Sequence, residues 1–176
     1  MKDESRQKFD VRDILIRHLD KVKQTIIDQM SYFDRNASGA HVDSLTIEAD
    51  SNYGVLWGLY SFNYLETGSR PWSKQPPFAP RWFQNIIRQW IIDKGIHITQ
   101  IPYKTDRPHK YSVQERSLQM ASGAIATYIM KHGTSLYRTG VPQDLYSGII
   151  NRECEAIAEE SRMRVAQTIE NINKSM

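Results

Sequence analysis

The stretch Val42-Asp43-Ser44-Leu45-Thr46-Ile47-Glu48-Ala49-Asp50 is where the chain changes its hydrophobic period. Over residues 45–50, apolar and polar side chains alternate, which is typical of a strand with one buried face. The turn-forming cluster 51–54 follows, and residues 55–60 return to strand-forming types. We therefore predict an antiparallel hairpin around residues 42–65.

Apolar residues recur at helical spacing on both sides of this hairpin. The spacing predicts a helix over residues 10–33 before it, and helices over 81–94, 113–132 and 145–172 after it. Between the second and third helices, apolar and polar residues alternate again, which predicts a short strand near residues 96–101.

These patterns together predict an α+β fold. A small antiparallel sheet, made of the hairpin around residues 42–65 and the short strand near 96–101, packs against about four helices. No linker or internal repeat interrupts the chain, so we expect a single domain over residues 1–176. Its parts are an N-terminal helix (10–33), a hairpin and Pro-rich loop (40–80) and a helical remainder (81–172).

Two helices carry apolar stripes that we expect to be buried. In the helix over 81–94, Trp82 and Trp90 are eight residues apart, so they share a face and are expected to belong to the core. The last helix has its own expected buried stripe, which consists of Ile150, Cys154, Ile157, Val165, Ile169 and Ile172.

The composition is that of a globular protein. Of 176 residues, 40% are hydrophobic and 24% charged, which is enough for a core without metal or disulfide staples. A lone cysteine, Cys154, excludes an intramolecular disulfide and fits a reducing compartment. The first thirty residues lack the apolar centre of a secretion signal, and no run approaches the roughly 20 apolar residues that cross a bilayer. We expect a soluble protein.

Charge is distributed unevenly along the chain, although the net charge is only +3. Residues 37–69 carry a net charge of −4 and contain no Lys or Arg, whereas residues 70–110 carry +6. An acidic block beside a basic block suits head-to-tail contact between copies. The basic block could instead contact phosphates, or the charges could serve only solubility.

The sequence offers no catalytic or metal-binding motif. The five histidines fall in different segments, and no pair has the spacing of a helical metal site. Glu159 and Glu160 lie among arginines, which favours a solvated helix face over an acid–base pair. We expect no enzyme activity and no cofactor.

The most distinctive loop is Tyr64-Leu65-Glu66-Thr67-Gly68-Ser69-Arg70-Pro71-Trp72, which a Pro-rich connector follows. An exposed Arg-Pro-Trp sequence provides the kind of anchor that protein interfaces favour. We predict that this loop is an assembly contact whose residues are Glu66, Thr67, Gly68, Arg70, Pro71 and Trp72. Whether Trp72 is interface or core is left open.

Several segments occur in a characteristic order. They are Tyr64 to Pro71; Ile87, Trp90, Ile91, Lys94, Gly95 and Ile96; Ala124, Ile125, Ala126 and Ile129; and Gly133, Thr134, Leu136 and Tyr137. Over residues 55–140, this series resembles the small tail-completion or neck proteins of tailed bacteriophages and prophages. The resemblance implies an α+β protein with a small sheet packed against helices, and it places that family's Glu-Thr-Gly loop at Glu66, Thr67 and Gly68.

The resemblance also implies a function. It predicts a structural virion protein that forms a homo-oligomeric ring and joins the head connector to the tail, with portal, connector or tail proteins as neighbours. The expected location is the neck of the virion, which is assembled in the cytoplasm of the host bacterium, with passive contact to DNA in the channel and none to membrane. One alternative is a nucleic-acid-binding protein that uses the basic block 70–110. A second is a hydrolase or toxin whose site combines distant histidines and acids.

Overall fold

The computed structural model describes residues 10–105, 108–141 and 143–175. The predicted α+β class is confirmed: helices dominate, and one two-stranded antiparallel sheet accompanies them. In chain order the elements are α1 (Arg12–Tyr32), α2 (Ala40–Asp43), β1 (Thr46–Ala49), β2 (Gly54–Trp57), a 3₁₀ helix (Tyr60–Tyr64), α3 (Arg81–Asp93), α4 (Val113–His132), α5 (Ser135–Thr139) and α6 (Ser147–Ser175).

The folded chain divides into two compact units. Among the described residues, the first unit holds 10–36, 40–62 and 144–175, and the second holds 37–39 and 63–143. The prediction of a single domain over residues 1–176 stays a prediction. Each unit is built around its own packed helices.

In the first unit, α1 is the central element. Its buried residues recur at helical spacing and face the hairpin and α6, as the sequence predicts; they are Ile14, Leu15, Val22, Ile26 and Met30. The hairpin approaches α1 closely at Gly54, where a Cβ atom would lie 2.8 Å from Cδ1 of Leu19. A glycine therefore lets the sheet rest directly on the helix.

The hairpin has the predicted alternation but shorter strands. Thr46 lies opposite Trp57 and Ala49 opposite Gly54. Leu45 is buried, and Ile47 and Ala49 are half-buried, whereas the alternate positions 46, 48 and 50 are exposed. One face of the sheet therefore packs against α1, and the side chains of the other face are exposed.

The buried stripe predicted for α6 is wrong. Ile150, Val165, Ile169 and Ile172 are exposed, whereas Ile149 and Glu153 are buried. The face of α6 that meets α1 includes charged residues, since Glu153 and Glu160 both bond to side chains of α1.

The second unit contains a core between α3 and α4. Its fully buried members are Ala79, Ile87, Ile91, Ala126 and Met130, with partly buried apolar side chains around them. Ser112 opens α4 with a reciprocal capping box, in which its side chain accepts from the Glu115 amide while the Glu115 carboxylate accepts from the Ser112 amide.

The short strand predicted near residues 96–101 does not form. A strand needs a partner for its backbone groups, and the described residues provide none for this segment. The amide of Ile101 instead donates to Oγ of Ser117 at 2.8 Å, and Ile98 packs against the core. The segment is held along α4 by side-chain contacts rather than by a sheet.

Candidate functional site

The loop 66–72 is tied to the segment that joins α4 and α5. The amide of Trp72 donates to the carbonyl of Met130 at 3.0 Å, and the amide of Thr134 donates to the carbonyl of Ser69 at 2.9 Å. Oγ1 of Thr134 accepts from the amide of Ser69 at 2.9 Å. These three hydrogen bonds fix the backbone of the loop.

Two glycines allow this close approach. Gly68 has φ of +74°, and a Cβ atom on it would lie 2.5 Å from the backbone nitrogen of Tyr137. Gly133, which ends α4, has φ of +77°, and a Cβ atom there would lie 2.7 Å from the carbonyl oxygen of Ser69. Both glycines combine a positive φ with a close contact that any side chain would block. Two of the segments that carry the family resemblance therefore meet here.

The six residues predicted as an interface differ in exposure. Thr67 and Arg70 are exposed, and Pro71 and Trp72 are half-buried, whereas Glu66 and Gly68 are buried. Thr67 and Arg70 are therefore the most accessible to a partner, Pro71 and Trp72 expose part of their surface, and Glu66 and Gly68 are covered by the fold.

Trp72 is part of the packing of the second unit. Its ring stacks on that of Trp82 with centroids 5.7 Å apart, and it lies 5.3 Å from the ring of Phe83. It also packs against the buried cluster between α3 and α4. The structure thus places Trp72 against the core, a role that the sequence leaves open.

The expectation that Trp82 and Trp90 belong to the core is wrong. Trp82, Ile86 and Trp90 are 58%, 55% and 39% exposed, and their spacing of four residues puts them on one side of α3. We call these three residues the α3 stripe. The core-facing residues of the same helix, Ile87 and Ile91, lie on a neighbouring face.

The exposed side of the hairpin combines aromatic rings with a carboxylate. Glu48 accepts hydrogen bonds from the hydroxyl of Tyr53 at 3.1 Å and from Nε1 of Trp57 at 3.0 Å. The same carboxylate raises the pKa of Tyr53, because it accepts a hydrogen bond from the protonated phenol and repels the phenolate. We call these three residues the hairpin face. It is acidic, aromatic and exposed.

Four cations of the basic block have no internal partner among the described residues. Arg70, Lys74, Arg81 and Arg88 are exposed, and within the described residues none of these side chains forms a hydrogen bond or an ion pair. Their charges are therefore available to an external anion or to a neighbouring protein.

A charged cluster between α1 and α6 is not foreseen from the sequence. Nδ1 of His18 lies 2.7 Å from a carboxylate oxygen of Glu153, and Nε2 lies 3.1 Å from one of Glu160. Nζ of Lys21 lies 2.6 Å from Glu153, and Arg17 pairs with Glu160. Only the imidazolium form of His18 can donate from both ring nitrogens. Glu153 and Glu160 are seven residues apart, which is the one signal that could have suggested a shared face.

These contacts lower the pKa of the carboxylates. Hydrogen bonds from Lys21 and His18 lower the pKa of Glu153, and those from Arg17 and His18 lower the pKa of Glu160. A paired contact with Arg164 lowers the pKa of Asp13 to about 2. Because these carboxylates are stabilised as anions in the folded state, folding is more favourable when they are ionised.

We expect Glu153→Gln to lower the free energy of unfolding by about 2 kcal/mol at neutral pH, since it removes charge-assisted bonds to a buried group. The pKa of Glu153 is lower in the folded state than its ordinary value of 4.5. Its carboxylate therefore stabilises the fold at pH values above 4.5, and this stability is lost as the pH falls through the pKa of the folded state. The loss from Glu153→Gln should therefore shrink on acidification. Chemical denaturation between pH 7 and about pH 3 measures it.

The matched control is Glu155→Gln, two residues away on the same helix and exposed. It should leave the free energy of unfolding nearly unchanged. A loss from Glu153→Gln that is the same at every pH would contradict the role given to the charge.

In the described part of the chain, no cluster of side chains supports a metal site or a hydrolase site. His109 stacks on Tyr103, and His132 tilts against Tyr128. In residues 10–105, 108–141 and 143–175, no three potential metal-ligating side chains come together. No helix among these residues has the length and apolar character needed to span a bilayer. The thiol of Cys154 is exposed and free.

Comparisons with family models, with curated proteins and with solved structures give no match to this chain.

Proposed function

We propose that this chain is a structural subunit of a tailed-phage neck, in which copies form a ring that joins the head connector to the tail. The observation that carries the proposal is the α3 stripe. Three large apolar side chains are exposed side by side on one helix, with Trp82 and Ile86 each more than half exposed. A contiguous apolar patch of this kind marks a protein interaction site, and tryptophan is enriched among the residues that dominate binding energy.

The occupant we propose for the α3 stripe is the hairpin face of a second copy. Glu48, Tyr53 and Trp57 offer aromatic rings around a negative charge. Arg81 and Arg88 lie on a different face of the helix, so the pairing does not use their charges. Contact between the aromatic rings of the hairpin face and the apolar α3 stripe favours this pairing.

The pairing joins two different surfaces, so it is head-to-tail. Such a contact leaves one free surface of each kind on every pair of copies, and further copies can add until the rotation closes a ring. The neck setting comes from the resemblance of residues 55–140, which also supplies portal, connector or tail proteins as neighbours. The proposal involves no reaction and no cofactor.

We expect Ile86→Glu to abolish self-association of the purified chain, because it places a charge in the centre of the α3 stripe. The matched control is Ile92→Glu on the same helix, where the isoleucine is 49% exposed but lies outside the stripe. Sedimentation velocity over a range of protein concentrations measures the assembly state. Wild type and Ile92→Glu should form the same oligomer, and Ile86→Glu should sediment as a monomer.

Two results would contradict this interface. One is a wild-type chain that stays monomeric at every concentration, and the other is an equal loss of assembly in both variants. Circular dichroism spectra should be the same for all three proteins, since both isoleucines are exposed and neither substitution reaches the core.

A nucleic-acid-binding protein is the second candidate, and the unpaired cations Arg70, Lys74, Arg81 and Arg88 favour it. Binding to a phosphate backbone weakens steeply as salt rises. This candidate would be supported if the affinity for DNA fell by orders of magnitude between about 50 and 200 mM salt and also fell when these four residues were substituted. If substituting the four residues left the affinity unchanged, the basic block would be excluded as the site.

A further inference from the structure

A polar cleft runs between α3 and α4 in the second unit, on the side of α3 that the stripe does not occupy. Its volume is about 170 Å³, more than ten times the roughly 15 Å³ that one ordered water needs. From α3 it is lined by Arg81, Asn85 and Arg88, whose spacing of four and three residues puts them on one face.

Four of the side chains that line this cleft are hydrogen-bond donors without acceptors among the described residues. Within the described residues, the side chains of Arg81, Arg88 and Asn85 form no hydrogen bond, and the same is true of the side-chain amide of Gln119 on the opposite wall. Gln84 is different, because its Nε2 donates to the carbonyl of Ala79 at 2.7 Å and so holds one wall in place.

The charges in and near the cleft are mainly positive. Arg81 and Arg88 line it, and Nζ of Lys110 lies 5.4 Å from the ring of Tyr111, which also lines it. One carboxylate faces this cleft, that of Glu115, and its Oε2 already accepts from the amide and hydroxyl of Ser112 at 3.1 and 3.2 Å. Within the described residues, neither arginine is paired with this carboxylate or with any other.

We propose that this cleft binds a phosphate group. Guanidinium groups offer paired N–H donors that match the oxygens of phosphate, and two arginines with neutral amides can contact such an anion from several directions. The phosphate can be a free ion or part of a nucleic-acid backbone, since both present the same oxygens. This inference does not depend on the proposed neck function, because the cleft and the α3 stripe lie on different faces of the helix.

The test is an NMR titration of the full chain with inorganic phosphate, at constant ionic strength maintained with chloride. Ile86→Glu is used beside wild type so that assembly does not compete with binding. We expect saturable shifts in the amides of residues 81–88 and 111–122 and in the side-chain Nε–H signals of Arg81 and Arg88. Arg81→Gln and Arg88→Gln should each weaken binding at least tenfold.

The control is Arg70→Gln, which removes an exposed and unpaired arginine that does not line the cleft. It should bind inorganic phosphate as wild type does. A second titration uses a ten-nucleotide oligothymidine. If it binds more tightly than inorganic phosphate and still requires Arg81 and Arg88, the site is assigned to a nucleic-acid backbone. If it binds equally or more weakly than inorganic phosphate, the site is assigned to free phosphate. Shifts that do not saturate, or that Arg70→Gln reduces as much as Arg88→Gln, would overturn the proposal.

Discussion

Gly68→Ala is expected to lower the free energy of unfolding by about 4 kcal/mol. A residue with a Cβ atom loses roughly 1–2 kcal/mol in the left-handed conformation that Gly68 adopts at φ of +74°. The new atom would also collide with Oγ1 of Thr134 and lie 2.5 Å from the backbone nitrogen of Tyr137. The loop 66–72 would have to leave its position, which breaks the hydrogen bonds between Ser69 and Thr134.

Gly95→Ala is the matched control for this substitution. Gly95 also has a positive φ, +61°, but a Cβ atom there would meet nothing within 4 Å. The free energy of unfolding of this variant should therefore fall only by the cost of placing a Cβ atom in the left-handed conformation, about 1 kcal/mol. Urea denaturation followed by tryptophan fluorescence measures both variants. Equal losses for Gly68→Ala and Gly95→Ala would mean that the contact of the loop with Thr134 and Tyr137 contributes nothing.

Trp72→Ala is expected to lower the free energy of unfolding by about 3 kcal/mol. The ring packs against the core of the second unit, stacks on Trp82 and lies tilted against Phe83. Truncating a buried tryptophan costs about 3–5 kcal/mol. We take the lower end because Trp72 is half-buried. Circular dichroism during urea denaturation measures the loss without relying on the fluorescence of the residue removed.

Phe78→Ala provides the comparison for Trp72→Ala. Phe78 lies in the same Pro-rich connector but is 75% exposed, so its removal should change the free energy of unfolding by less than about 0.5 kcal/mol. If Trp72→Ala proves as stable as Phe78→Ala and yet fails to assemble, Trp72 is an interface anchor and its assignment to the core is wrong.

The fold could be predicted wherever the local pattern alone decides the structure. The alternation from Leu45 to Asp50 fixes which face of the hairpin is buried, and α1 buries the stripe that its spacing predicts. The helix over 113–132 ends where Gly133 allows a positive φ. In each case the period and a stop signal are sufficient, because no distant residue competes for the same face.

The pattern fails where distant residues decide which face is buried. On α3, apolar residues cover more of the helix than the core can bury, so Ile87 and Ile91 face inward while Trp82 and Ile86 are left outside. On α6, contacts with His18 and Lys21 hold Glu153 against α1. Spacing along one helix cannot show a partner that lies more than a hundred residues away in the chain.

In the loop 66–72, the backbone shape could be predicted from the sequence but the exposure of the side chains could not. Gly68 permits the positive φ that the loop adopts, and the ring of Pro71 fixes its own φ, so the sequence favours a defined turn. The hydrogen bonds to Thr134 and Met130 agree with such a turn. The exposure of each side chain could not be predicted in the same way. The burial of Glu66 depends on residues that come together only in the folded chain.

The most direct test of the central proposal is electron cryo-microscopy of tailed particles from the genome that encodes this chain. We predict a ring of copies at the junction of head and tail, with the α3 stripe of each copy covered by the hairpin face of the next. Particles that lack the chain, or that carry it away from the neck, would contradict the proposal.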